Sequence, residues 1–378
     1  MVRLIGNFDI AEEVVQDSLV AALERWPEQG IPDNPGAWLM TTARRRAIDI
    51  LRRDRRYAEK VALLERSTLP DDPAEADDRL RLIFTCCHPA LSQEAQVALT
   101  LRAVAGFTTQ EIAAAFLVAE PTMAQRIVRA KRKIVAANIP YRLPSGPDLP
   151  ARLDAVLSVL YLMFNEGYLS RGPAVSARRD IAEDALWLAS LVDRLLPNQA
   201  EVLGLMALMR LHLARSKARF DAAGQMVLLP DQDRALWDPE AIAEGVHTLE
   251  AAALLRRPGP YQLQAAIAAV HAEALSWDGT DWDQVVRLYD RLLRLVDSPV
   301  VRLNRAVALS HVAGAEAALG EVNDLAMALG DYHLFHATRA ELLDDLGEHS
   351  LAREARQRAL ELCQNPAERA LLERKLAG

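Results

Sequence analysis

Basic side chains are concentrated in two short stretches of this chain. Between residues 44 and 56 there are seven arginines and two acids, Asp49 and Asp54, which leaves a local charge of +5. Between residues 126 and 133 there are five basic residues and no acid. Clustered Lys and Arg side chains attract phosphate groups, so both stretches are candidates for contacts with a nucleic-acid backbone. A solvated basic helix is the alternative for the first stretch.

The net charge of the whole chain hides these two stretches. The 378 residues carry 44 Lys and Arg against 52 Asp and Glu, a net charge of −8. Residues 1–140 hold 19 side chains of each sign, whereas residues 141–378 hold 25 basic and 33 acidic ones. The acidity therefore belongs to the C-terminal part of the chain.

The composition predicts a folded, all-α protein. Hydrophobic residues make up 51% of the chain, which is too many for a disordered protein, and aromatic residues make up 5%. Good helix formers outnumber the β-branched and aromatic residues that fill strands. A chain of this length is expected to form two or three domains.

The first basic stretch belongs to a predicted pair of helices. Apolar residues at three- and four-residue spacing predict an amphipathic helix over residues 9–25, and prolines and glycines predict a loop over Pro27–Gly36. A second helix is predicted over Ala37–Arg56, with most arginines on its outer side. Residues 57–78 lose this periodicity and are rich in Pro and Asp, which predicts a flexible linker.

The second basic stretch lies in a predicted helix-turn-helix. A helix is predicted over Leu91–Ala105, and Thr108 with Glu111 forms a capping box for a short helix, Thr109–Ala115. Pro121 suits the first turn of a further helix, which continues to Val135. Four of its apolar side chains are expected to point inward: Met123, Ile127, Val128 and Ile134. A basic second helix after a short turn is typical of a motif that enters the major groove, although any helical hairpin shares the pattern.

Residues 141–378 are predicted to form successive helices. Arg302–Ala306 and Ala313-Gly314 recur in character at His336–Ala340 and Leu346-Gly347, at offsets of 34 and 33 residues. This is close to the tetratricopeptide period, and such repeats stack into a solenoid whose concave face binds peptides. The spacing is clearest from about residue 260, and an irregular helical bundle is the alternative before that.

The sequence shows no pattern typical of a membrane span or of a signal peptide. No stretch approaches the ~18 uninterrupted apolar residues of a membrane span. The N-terminal segment carries acids where a signal peptide has an apolar core, namely Asp9, Glu12 and Glu13. A cytoplasmic protein is expected.

The cysteines and histidines do not form a metal-binding pattern. Cys86, Cys87 and Cys363 lack the paired spacing of a zinc site and are expected to be buried thiols. His333 and His336 could share a helix face, but the sequence shows no third ligand nearby. No catalytic constellation is present either, so we expect no metal, no cofactor and no enzymatic activity.

Motifs in the first 140 residues resemble those of bacterial extracytoplasmic-function (ECF) sigma factors. Region 2 of that family is similar to Asp9–Leu19, Ala37–Arg44 and Asp49–Arg53, and region 4 is similar to Val97–Ile134. Their order and the linker between them also match the family. Three later segments resemble the subgroup with a long helical C-terminal extension: Tyr161–Tyr168, Asp231–Arg234 and Gly259–Gln264.

The resemblance implies a domain order and a function. Region 2 would occupy residues 1–56, the linker 57–78, a helix-turn-helix region 4 residues 79–140, and a tetratricopeptide-like extension residues 141–378. Such a protein binds core RNA polymerase at the β′ clamp helices and the β flap, and it recognises and melts promoter DNA. Its C-terminal domain would regulate it and take a protein or peptide partner.

The resemblance also nominates site residues. The polymerase-binding face carries over to Glu12, Glu13, Gln16 and Asp17. Recognition and melting of the minus-ten element fall to the Pro27–Gly36 loop with Thr42, Arg44, Arg45, Arg46, Arg52 and Arg53. Reading of the minus-thirty-five element falls to Thr122, Gln125, Arg126, Arg129 and Lys133. Gln and Arg suit this task because they make bidentate contacts with adenine and guanine edges.

Some positions depart from the family pattern. Arg45 stands where Asn is common, Pro121 and Ala124 stand where Gly and Lys are frequent, and the chain begins eight residues ahead of Asp9. Two other functions therefore stay open at this point. One is a helix-turn-helix DNA-binding regulator that does not engage polymerase, and the other is a tetratricopeptide-like interaction adaptor.

Overall fold

Helices form nearly all the regular structure of this protein, seen in a computed structural model that describes residues 1, 5, 8–53, 73–116, 118–169 and 181–377. Within these residues there is no strand, and an isolated bridge joins Phe220 to Met226. The predicted all-α class is confirmed. The chain divides into two compact units, Met1–Met163 and Phe164–Gly378.

The first unit opens with an antiparallel pair, α1 (Phe8–Gln29) and α2 (Pro35–Arg53). Small side chains let the two helices approach closely, with Ala11 and Val14 packed against Ala43 and Ala47. The Trp26 and Trp38 rings meet edge to face at 5.5 Å. Such aromatic pairs add to the apolar contact that holds two helices together.

The break between α1 and α2 is shorter than the loop predicted over Pro27–Gly36. Pro27 lies inside the last turn of α1, where its missing N–H costs a single helical hydrogen bond. Gly30 ends the helix with a φ of +84°. Asn34 begins α2, because its Oδ1 accepts a 2.9 Å hydrogen bond from the Ala37 amide.

Four helices follow: α3 (Pro73–Cys86), α4 (Gln93–Thr100), α5 (Thr109–Ala115) and α6 (Glu120–Ala136). The predicted helix Leu91–Ala105 is split, since residues 101–105 form a π-helical turn that ends at Gly106. The last residues predicted as linker, 73–78, are already helical, while the rest of the predicted linker, up to residue 72, lies outside the described residues.

The predicted capping box and helix α5 are confirmed. The Thr108 amide donates to Glu111 Oε2 at 2.7 Å, and the Glu111 amide donates to Thr108 Oγ1 at 3.2 Å. In α6 the prediction of inward side chains was wrong at Val128, which is 42% exposed. Ala130 is buried instead, because the inner face follows the spacing of Met123, Ile127, Ala130 and Ile134.

Helix α7 (Asp148–Leu169) contributes its first part to this unit. The Arg152 guanidinium donates to the Phe84 carbonyl at 2.5 Å, so this unit continues past residue 140. Cys86 and Cys87 are fully buried beside this contact, as expected. Burial raises the pKa of the Cys87 thiol to about 12, so the thiol stays protonated and unreactive.

The second unit is built first around α9 (Ala200–Ala214), which is buried along most of its length. Helices α8 (Ile181–Leu195), α10 (Pro239–Leu254) and α11 (Pro260–Glu273) pack against it. At Gly204 a side chain would collide with the Gln262 amide, so glycine permits the close approach of α9 and α11. Glu201 caps α11 by accepting from the Tyr261 amide at 2.8 Å.

The remaining helices stack in succession. They are α12 (Trp282–Leu295), α13 (Pro299–Ala313), α14 (Ala315–Asp324), α15 (Ala326–Leu329), α16 (His333–Asp345), α17 (His349–Leu362) and α18 (Pro366–Ala377). Helices α13 and α16 begin 34 residues apart, which matches the predicted period. No helix within the described ranges is long and apolar enough to cross a membrane.

Candidate functional site

Glu12 on α1 is the centre of an ion network that joins the two helical modules of the first unit. Its Oε2 accepts a 2.6 Å hydrogen bond from Lys131 Nζ of α6. Its Oε1 is paired with the Arg102 guanidinium from the π-helical turn after α4. The Lys131 side chain is 11% exposed, so this contact is largely screened from water. The network therefore ties α1 to the second module at Glu12.

The network keeps Glu12 ionised. Burial by itself raises the pKa of the Glu12 carboxyl, but hydrogen bonds and charges from Lys131 and Arg102 outweigh it and hold the pKa below its ordinary value. The carboxylate is therefore fully charged at neutral pH. Hydrogen bonds to charged groups contribute roughly 1.5–3 kcal/mol each when partly buried, so the link is a substantial contact.

The other three predicted polymerase-binding residues are more accessible. Asp17 pairs with Arg46 of α2 at 2.6 Å, and both side chains are more than 40% exposed, at 44% and 42%. The side chains of Glu13 and Gln16 are exposed and have no hydrogen-bond or ion-pair partner among the described residues. The structure thus places these four residues on one helix, with Glu12 and Asp17 in ion pairs within the first unit.

The predicted minus-ten residues lie along α2 in different settings. The Thr42 hydroxyl donates to the Trp38 carbonyl at 2.9 Å, which leaves its oxygen as an acceptor. Arg45 is exposed, Arg44 is half-buried, and Arg46 is held by Asp17. Arg52 and Arg53 lie in the last turn of α2, and their side chains are outside the described ones.

The predicted minus-thirty-five residues share one side of α6. Their spacing of three and four residues places them on a single helix face. Four are exposed: Thr122, Gln125, Arg129 and Lys133. The fifth, Arg126, is partly covered and pairs with Glu94 at 2.9 Å. Arg129 and Lys133 make no ion pair within the part of the chain that the structure describes, so this face is available to a ligand.

Sequence reasoning missed the two cations that hold Glu12. Lys131 follows the buried Ala130 and lies four residues after the buried Ile127, so the helical spacing was a signal that it faces inward. Arg102 had no such signal, because it lies 90 residues from Glu12 on a turn that was predicted to be regular helix.

Three segments of the chain match known family models. Residues 1–57 match Sigma-70 region 2, and residues 81–134 match Sigma-70 region 4. Residues 152–253 match a family of unknown function, DUF6596. The first two matches cover the two helical modules that Glu12 joins.

Comparison with curated proteins gives relatives of two kinds. An uncharacterized protein of Rhizobium meliloti, R00370, is 43% identical over all of this chain and 91% of its own length. The ECF RNA polymerase sigma factor SigL of Mycobacterium tuberculosis is 32% identical over 35% of this chain and 76% of its own length. The ECF RNA polymerase sigma factor EcfG of Rhodopseudomonas palustris is 30% identical over 36% of this chain and 75% of its own. No solved structure matches.

Proposed function

This chain belongs to the ECF sigma factors that carry a C-terminal extension, and we propose that it binds core RNA polymerase, recognises and melts promoter DNA, and so initiates transcription. The observation that carries the proposal is the exposed face of α6, where Gln125, Arg129 and Lys133 stand on the outer side of a helix-turn-helix. Binding rather than catalysis is the mode of action.

Promoter reading follows from the side chains on α6. Arg makes bidentate hydrogen bonds with guanine and Gln makes them with adenine, and each good pair is worth roughly 1–3 kcal/mol of discrimination. Lys133, one turn beyond Arg129, suits a phosphate contact that positions the helix. The exposed face of α6 is therefore suited to the minus-thirty-five element.

Promoter opening is assigned to α2 and to the residues between α1 and α2. Arg44, Arg45 and Arg46 supply positive charge that holds the phosphate backbone. A base that leaves the duplex costs a few kcal/mol in lost stacking and pairing, so the protein must compensate with new contacts. Thr42 lies two residues before Arg44 and has an oxygen that can accept, so it is a proposed partner of the opened strand together with the Pro27–Gly36 segment.

Polymerase binding requires the Glu12 network to open. In the family the acidic face of region 2 docks on the β′ clamp helices, and here Lys131 and Arg102 already hold Glu12. The clamp helices must therefore compete with these internal cations. We expect the free chain to be closed and the polymerase-bound chain to be open, with region 4 released toward the β flap and the DNA.

The C-terminal unit is proposed to regulate this activity. It is compact on its own, over Phe164–Gly378, and it holds the excess of acidic residues in the chain. A helical-repeat surface is suited to bind a protein or peptide segment. Regulation would then depend on what occupies that surface.

Run-off transcription tests the central proposal. Core RNA polymerase is combined with the full chain on a promoter library, and transcript starts are mapped. We expect transcripts from a defined set of start sites that are absent without the chain. Duplex binding without polymerase co-elution or transcripts would instead favour a DNA-binding regulator, and peptide binding alone would favour an adaptor.

A truncated chain tests regulation. A variant that ends at Met163, the limit of the first compact unit, is compared with the full chain after circular dichroism has checked its helical content. We expect the transcript yield to change by several-fold. An unchanged yield and an unchanged promoter set from a folded variant would contradict a regulatory role.

A further inference from the structure

Three side chains with metal-binding atoms converge where the last three helices meet. His333 is the first residue of α16, Cys363 directly follows α17, and Glu368 lies in the first turn of α18. His333 Nε2 is 2.9 Å from Glu368 Oε2, and Cys363 Sγ is 4.0 Å from the same oxygen. The three ligand atoms all lie within 4.8 Å of one another.

Separate backbone contacts hold each of these residues in place. The Cys363 amide donates to the Ala359 carbonyl at 3.0 Å, which continues the hydrogen bonding of α17. Asn365 Oδ1 caps α18 by accepting from the Ala367 amide at 2.9 Å and the Glu368 amide at 3.3 Å. Two residues separate the end of α17 from Asn365, so the Cys363 and Glu368 positions are coupled tightly.

The cluster is sheltered yet reachable. Cys363 is 4% exposed, while the side chains of His333 and Glu368 are 20% and 19% exposed. Its thiol and imidazole face one carboxylate from a third element, a mixture that suits a borderline-soft cation better than Mg²⁺ or Ca²⁺. His336, which sequence reasoning paired with His333, lies apart and bonds the Gly330 carbonyl at 2.8 Å.

The geometry points to a binding site for a single Zn²⁺-like divalent cation, held by His333 Nε2, Cys363 Sγ and a Glu368 carboxylate oxygen. Tetrahedral zinc with ligand bonds of roughly 2.0–2.3 Å places its ligand atoms about 3.3–3.8 Å apart. The 2.9 and 4.0 Å separations lie on either side of this range and the third separation is within 4.8 Å, so shifts of about 1 Å would seat the ion. Water would complete the fourth position.

Such an ion would fasten the final helix to the repeats before it. Helix α18 is attached through a small apolar cluster of Ala359, Cys363 and Leu372, and through a 2.7 Å salt bridge from Lys375 to Glu341 of α16. A cation shared by α16, α17 and α18 would add a direct link among the three helices, since metal binding stabilises the conformation that brings its ligands together.

Cobalt titration of the full chain tests the site. The protein is first stripped with a chelator, and Co²⁺ is then added while thiolate-to-cobalt charge transfer is recorded in the near ultraviolet. We expect about one Co²⁺ per chain, displaced by Zn²⁺. Cys363→Ser should abolish the charge-transfer band, and His333→Gln or Glu368→Gln should weaken binding by at least about tenfold.

His349→Gln is the matched control, because His349 has a 78% exposed side chain and bonds Asp344 outside the cluster. It should bind as the unaltered chain does. A band that survives Cys363→Ser would place the site elsewhere, at Cys86 or Cys87, and would overturn the proposal. Absence of binding by the unaltered chain would reduce the cluster to a His–Glu hydrogen bond beside a buried thiol, and would overturn it equally.

Hydrogen exchange of the unaltered chain tests the site without relying on a variant that folds. Zn²⁺ should slow amide exchange by several-fold in α18 and at the start of α16, and it should leave α1–α6 unchanged. Equal exchange with and without Zn²⁺ would contradict the proposed site.

Discussion

The two surfaces of the first unit that a sigma factor must use are presented in opposite ways. The proposed polymerase-docking face of α1 has two of its carboxylates in ion pairs; it comprises Glu12, Glu13, Gln16 and Asp17. The proposed promoter-reading face of α6 has four exposed side chains and, within the described ranges, a single ion pair; it comprises Thr122, Gln125, Arg126, Arg129 and Lys133. One face is engaged within the molecule, and the other is open.

The difference arises because α6 contacts Glu12 through the side opposite Arg129 and Lys133. Lys131, which pairs with Glu12, lies on the side of α6 away from Arg129 and Lys133. The contact between the modules therefore engages Glu12 on the proposed docking face without covering the proposed reading face. If both faces act as proposed, polymerase binding has an internal competitor at Glu12, whereas DNA reading by α6 has none among the described residues.

The largest change in affinity is expected for promoter DNA, when an exposed side chain is removed from α6. Arg129→Ala deletes an exposed guanidinium that has no ion-pair partner among the described residues, so folding should be unaffected. Promoter affinity should fall by about 5- to 150-fold, as expected for loss of roughly 1–3 kcal/mol. The measurement is fluorescence anisotropy of the polymerase complex on a promoter duplex and on one with a scrambled minus-thirty-five element.

Arg132→Ala is the control for Arg129→Ala, because Arg132 is exposed on the same helix but toward the edge of the face. It removes the same charge and should weaken both duplexes slightly and equally. Equal losses from the two variants would mean that α6 does not read sequence at Arg129.

The next largest change is expected in the affinity for core polymerase, when the contact between Lys131 and Glu12 is weakened. Lys131→Gln exchanges a charged hydrogen bond to Glu12 for a neutral one, which is worth roughly 1 kcal/mol less, so core polymerase should bind about three- to tenfold more tightly if this bond opposes docking. Affinity is measured by titrating labelled core enzyme without DNA. Arg132→Gln makes the same charge change without touching Glu12 and should leave affinity unchanged; weaker binding by Lys131→Gln would contradict competition.

Acid should open the same contact over a defined range. The pKa of Glu12 is lowered in the closed arrangement, below an ordinary value of 4.5. The link is therefore complete above pH 4.5 and is lost as the pH falls through the lowered pKa. Energy transfer between labels on α1 and α6 should stay constant near neutral pH and fall only in acid, and Glu12→Gln should remove this transition. A transition close to neutral pH would show that another group controls the contact.

The smallest effect is expected at the exposed pair on the docking face. Arg46→Gln frees Asp17, but an exposed ion pair typically contributes about 0.5 kcal/mol, so polymerase affinity without DNA should change by less than about threefold. Arg45→Gln, the exposed neighbour, supplies the control. A change as large as that of Lys131→Gln would show that Asp17, rather than Glu12, limits docking.

Local features of this fold were readable from the sequence. The bounds of α5 and its capping box follow from Thr108 and Glu111, which lie three residues apart, and three of the four inward side chains of α6 follow from helical spacing. Pro27 was misjudged, because a proline in the last turn of a helix costs little. In each case the outcome depends on residues within one or two turns.

Contacts between distant residues could not be predicted in this way. Glu12 meets Arg102 and Lys131 across 90 and 119 residues, and charge alone does not select those partners from 44 basic side chains. His333 meets Glu368 across 35 residues, whereas spacing on one helix had suggested His336. These pairs are determined by how whole helices pack together. The spacing of residues within one helix does not predict that packing.

The decisive measurement is the distance between α1 and α6 before and after polymerase binding. Spin labels are placed at Leu23→Cys and Val135→Cys, which replace exposed side chains in a chain whose own cysteines are buried. We expect one short distance in the free chain and a longer one in a polymerase complex that transcribes. The same short distance in both states would contradict the claim that docking must open the Glu12 network.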